Sequence, residues 1–153
     1  MTALTLDETE RDLLTRELTS FAESLPDEAT RDRYAPLLEA ITAGEVPDDL
    51  VGLLEGMLEV SLQSGHARKA QGAPGEQALI ATYGRTPSGQ AVSKTARELN
   101  RALSALVGQR LDRLYFSARG PGSYSLLVDT DQAQLTIAIS PTGLRVENVG
   151  LGL

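Results

Sequence analysis

Residues 106–146 read LVGQRLDRLYFSARGPGSYSLLVDTDQAQLTIAISPTGLRV, and the rhythm of the side chains changes at Gly108. Before that glycine apolar residues recur every three or four positions; after it they alternate. Leu114, Phe116 and Ala118 are interleaved with Arg113, Tyr115 and Ser117; Tyr124, Leu126 and Val128 follow, then Leu135, Ile137 and Ile139, then Leu144 and Val146. A period of two puts alternate residues on one face of a strand, so the stretch predicts four short strands. The links between them are short. Gly120-Pro121-Gly122-Ser123 suits a type II turn, Ser140-Pro141-Thr142-Gly143 a type I turn, and Asp129 to Gln132 a tight polar connection. Such loops allow only a four-stranded antiparallel meander.

Working back from Gly108, Thr86-Pro87 reads as a cap followed by a first-turn proline, opening a helix over 87–107 with Val92, Leu99, Leu103 and Leu106 on its buried side. The sheet is expected to pack on this helix. Glu76 to Tyr83 is short and ambiguous, with helix favoured, and GHARKAQGAPG (65–75) is Gly- and Pro-punctuated and reads as a loop. Further upstream, Leu50, Leu53, Leu54, Met57, Leu58 and Val60 mark a helix that Pro47, Asp48 and Asp49 begin. Tyr34, Leu37, Leu38 and Ile41 mark another, broken before Pro36 and stopped by Gly44, and Leu13, Leu14, Leu18 and Phe21 mark a first helix from Leu6 to Ser24, capped by Thr5 with Glu8. The expected class is α+β: an N-terminal helical subdomain of four to five helices, then the meander. One domain is expected over 1–153, with an acidic helical part at 1–64, the loop at 65–75 and a helix plus sheet at 76–153.

The length of 153 residues suits one core, and 41% hydrophobic with 23% charged residues is ordinary for a globular chain. Charge is uneven. Residues 1–60 carry 15 acidic and 4 basic side chains, whereas 61–153 carry 6 acidic and 10 basic, so the net of −7 hides a dipolar molecule. With no Cys, thiolate catalysis, disulfides and Cys-ligated metals are excluded. The acidic start has no basic leader, and Leu50 to Leu62 is broken by Glu55 and Glu59, so neither a secretory signal nor a membrane span is expected and the chain is read as cytoplasmic.

Few strings carry chemistry. Gly84-Arg85-Thr86-Pro87-Ser88-Gly89-Gln90 lies before a helix, as a phosphate loop would, but Gln90 and Ala91 stand where the nucleotide-binding pattern needs Lys and Ser or Thr. A capped turn is the plainer reading, with a loose anion site as the alternative. Lys94, Arg97 and Arg101, spaced three and four apart, form a basic stripe on the same helix. Together Arg85, Thr86, Ser88, Lys94, Arg97 and Arg101 are the candidate ligand-binding residues. The acidic chain with 4% aromatic residues disfavours nucleic acid. His66, the only histidine, is read as an exposed residue of the 65–75 loop without a nearby partner. Asp129 and Asp131 open like a calcium loop, but Gln134 and Ser140 occupy its required glycine and glutamate positions. No catalytic residue, metal or cofactor is assigned.

The second sheet face, presenting Tyr115, Leu127, Arg145 and Glu147, and the apolar tail with Val149 and Leu151 are the candidate interaction surface. The expected function is a noncatalytic protein–protein interaction module of the bacterial cytoplasm, an adaptor, inhibitor or assembly factor, with a protein partner or a second copy of itself as a homodimer. The alternative is a regulator binding an anion or phosphorylated ligand through the basic helix 87–107.

Overall fold

The computed structural model describes residues 3–151. It resolves two compact units, Met1–Gln90 and Ala91–Leu153, with the junction inside a helix. The elements run β1 (Leu4–Thr5), α1 (Glu8–Glu23), α2 (Glu28–Asp32), α3 (Ala35–Ala43), β2 (Glu45–Val46), α4 (Asp48–Gln63), α5 (His66–Tyr83), α6 (Pro87–Ser104), then β3 (Leu111–Gly120), β4 (Ser123–Thr130), β5 (Ala133–Ser140) and β6 (Gly143–Leu151). This is the expected α+β order of helices followed by an antiparallel meander.

The first unit buries a core of Leu13, Leu14, Leu18, Leu37, Ile41, Val51, Leu54, Met57, Leu58 and Leu79, drawn from α1, α3, α4 and α5. The residues from α1, α3 and α4 are spaced three or four apart, so one stripe of each faces inward, and α5 adds Leu79. Before α1, Leu4 and Leu6 are buried in extended backbone and β1 pairs antiparallel with β2, Leu4 opposite Val46. That pairing moves the start of the first helix. Thr5 lies in a strand, and the capping box is Asp7 with Glu10: the Glu10 amide donates to Asp7 Oδ1 at 2.8 Å and the Asp7 amide to Glu10 Oε2 at 2.9 Å.

The expected loop at 65–75 is corrected. His66–Tyr83 is helical, with a single kink at Gly72, where φ is 73° and ψ 176°. Glycine tolerates that positive φ, and Pro74 then stands in the first turn of the resumed helix, where a missing amide leaves no bond unmade. Gly75 is needed for packing, since a Cβ there would overlap the side chain of Gln71. The glycines and the proline that suggested irregular chain therefore mark one bend between two helical segments.

In the second unit the sheet order is β3-β4-β5-β6. The register sets Phe116 beside Leu126, Leu126 beside Ile137 and Ile137 beside Val146, and on the opposite face Tyr115 beside Leu127 and Leu127 beside Thr136. The alternation thus sorts the two faces as expected. Leu135, Ile137 and Ala133 on β5 are buried, while β3 at the sheet edge is exposed almost throughout. The expected burial of the helix 87–107 is corrected: Val92 and Leu103 on α6 are exposed, and Leu99 and Leu106 only half-buried. α6 approaches the sheet beside β6, leaving a cleft of about 410 Å³ lined by Leu99, Arg101 and Ala102 on one side and Leu144, Arg145 and Val146 on the other.

Candidate functional site

The six residues expected to bind a ligand do not form one open site. Arg85 donates to the Thr5 carbonyl at 2.9 Å and forms an ion pair with Glu10. Thr86 is buried and caps α6: its Oγ1 donates to the Tyr83 carbonyl at 2.6 Å and accepts from the Gly89 amide at 3.2 Å. The Ser88 amide donates to Glu55 Oε2 at 2.6 Å. A carboxylate of the chain's own α4 therefore occupies the anion-attracting start of α6. Lys94, Arg97 and Arg101 remain on the exposed surface of α6. Nearby, Tyr83 donates its hydroxyl to Glu59 at 2.9 Å, and burial, followed by that carboxylate, pushes its pKa up to about 12.

His66 is corrected from an exposed loop residue to the first residue of α5, part of a polar cluster inside the first unit. Its Nδ1 lies 3.0 Å from Glu17 Oε2 and its Nε2 3.1 Å from Ser20 Oγ. Glu17 is wholly buried, and its other oxygen accepts from Gln71 Nε2 at 3.2 Å. The order serine, histidine, glutamate follows that of a hydrolytic triad. The setting does not. Ser20 lies inside α1, where backbone amides are spent on carbonyls four residues earlier, so no amide beside it is left to take up the charge of a tetrahedral intermediate. The cluster is a way of satisfying a buried carboxylate, joining α1 to α5. A signal for it exists in the sequence: Glu17 falls on the same helical stripe as Leu13, Leu14, Leu18 and Phe21.

The Asp129–Asp131 turn is structural as well, since Asp131 Oδ1 accepts from the Arg110 amide at 2.9 Å. Among the described residues no three His, Asp or Glu side chains group in a way that could hold a metal ion, and no helix is long and apolar enough to cross a membrane.

The residues expected to form an interaction surface lie in the second unit. On β3, Leu114 is 58%, Tyr115 62% and Phe116 57% exposed, and Phe116 stacks on Tyr124 of β4 with ring centroids 5.3 Å apart. Because β3 ends the sheet, the backbone groups on its outer side have no partner strand among the described residues. Of the other residues expected at this surface, Leu127 is half-buried on β4 and Arg145 is exposed on β6. Glu147 sits at a bulge between Val146 and Asn148, accepting from Arg119 at 2.9 Å and Arg145 at 3.1 Å. The Arg119 contact, then that of Arg145, holds its carboxyl below the usual carboxylate range. The backbones of Val149 and Leu151 pair with Leu135 and Ala133, and their side chains lie outside the described residues. No protein-family model, curated protein or solved structure matches this chain.

Proposed function

We propose that this chain is a protein–protein interaction module, an adaptor, inhibitor or assembly factor, that engages its partner by adding a strand at β3. One observation supports this above the rest: a ten-residue edge strand holds Leu114, Tyr115 and Phe116 more than half exposed. An open edge supplies main-chain hydrogen bonds to an incoming extended segment, and apolar side chains on both faces supply burial. Edge strands in isolated domains are commonly blunted by charge, proline or brevity. At its centre, from Leu114 to Ala118, β3 has none of these, since Asp112, Arg113 and Arg119 lie towards its ends.

An anion-binding regulator on α6 has weaker support, because Glu10 engages Arg85 and Glu55 engages the Ser88 amide that such a ligand would use. The double substitution Leu114→Glu with Phe116→Glu replaces exposed residues, so folding should be retained while strand addition is blocked. Association with protein, whether self or foreign, is expected to fall by at least about tenfold, each blocked anchor being worth roughly 1 kcal/mol or more. Light scattering and quantitative co-purification against the unmodified chain measure it. An unchanged association profile would remove β3 from the mechanism.

A further inference from the structure

We infer that the segment paired with β3 is the β3 of a second copy, in an antiparallel register centred on Tyr115. This rests on the proposal that β3 is the contact edge and adds the identity of what binds there. The support is the polarity and charge of the strand read in both directions. From Arg113 to Ser117 the order is Arg, Leu, Tyr, Phe, Ser: polar ends, apolar flanks and an aromatic centre. In an antiparallel pair, residues directly opposite one another point to the same face. Centring on Tyr115 sets Tyr115 against its own symmetry mate, Leu114 against Phe116 twice, and Arg113 against neutral Ser117.

Neighbouring registers lose this match. Centring one residue later, on Phe116, sets Leu114 against Ala118 and Tyr115 against Ser117, so the large apolar residues no longer meet one another. Centring one residue earlier, on Leu114, sets Tyr115 against Arg113 and Phe116 against the irregular stretch at Asp112, so neither aromatic residue meets an apolar partner. A twofold axis through the Tyr115 pair makes both halves of the contact the same patch, as a symmetric dimer requires. It joins two four-stranded sheets into one continuous sheet and leaves both copies' Leu114, Phe116 and Tyr124 on a common face.

The absence of cysteine makes the test clean. Opposed residues of an antiparallel pair have Cα atoms about 4.5–5.5 Å apart, within disulfide reach, whereas residues two positions from the axis are roughly 13 Å from their own mates. Under mild oxidation of the full chain, Tyr115→Cys is expected to give a disulfide-linked dimer and Ser117→Cys none, while a mixture of Arg113→Cys and Ser117→Cys chains is expected to cross-link to each other. An oxidised Tyr115→Cys chain that stays monomeric, or that cross-links no more than Ser117→Cys, overturns the second copy as occupant. If co-purification of a foreign protein is then still abolished by the Leu114→Glu, Phe116→Glu pair, only the self-pairing has failed; if that pair has no effect either, the β3 edge itself is disproved.

Discussion

Gly89→Ala is expected to lower the stability of the first unit by about 3 kcal/mol, a large effect for one methyl group. Gly89 is buried in the first turn of α6, and a Cβ there would overlap the carbonyl group of Tyr83 and crowd the Cα of Gly84. These are backbone atoms, so no rotamer change relieves the contact, and α5 and α6 must move apart. That movement would pull the Thr86 cap and the Glu55–Ser88 hydrogen bond out of register. Gly56→Ala in α4 is the matched control, because a Cβ there meets nothing within 4 Å. It should stabilise by about 0.5–1 kcal/mol through helix propensity alone. Urea titration measures both, and equal midpoints for the two variants would contradict the close approach of α5 to α6.

The second large effect concerns Glu17. Glu17→Ala is expected to lose about 3 kcal/mol, combining a cavity in the α1 stripe with the lost acceptor of His66 and Gln71. His66 is 42% exposed at its side chain, so water replaces part of what it loses, which keeps the figure below that of a fully buried ion pair. Glu17→Met, which fills the space without a charge, should lose clearly less than Glu17→Ala. The urea midpoint should fall with an unchanged slope, since the folded state remains compact. An alanine variant as stable as the parent would mean that Glu17 is not the buried link between α1 and α5.

What could be read in advance follows from the range over which each signal acts. Alternation after Gly108 is local, and hairpin links leave a meander little freedom, so even the register of Leu114, Val128 and Leu135 follows from the pattern. The segment 65–75 went the other way because Gly and Pro mark breaks without saying how much helix lies on either side. One positive φ at Gly72 accounts for all the irregularity there. The apolar stripe of α6 correctly gave a helix and wrongly gave its burial, because periodicity shows that a face is apolar and not that anything covers it.

The polar links were out of reach for a different reason. Glu17 and His66 are 49 residues apart and Glu55 and Ser88 are 33 apart, so only the folded chain brings them together. The open β3 edge lies between these cases. Alternation alone places Tyr115 on the second face, whereas Leu114 and Phe116 fall on the opposite face and are exposed as well because β3 lies at the rim of the sheet.

Amide hydrogen exchange of β3 as a function of protein concentration tests the central claim most directly. In dilute solution the outward-facing amides of Leu111–Gly120 should exchange far faster than those of β4 and β5, whose ladders are complete on both sides. As concentration rises they should become protected together, with β6 unchanged. Protection of β3 that is already complete in dilute solution, or that appears on β6 and not on β3, would contradict the account.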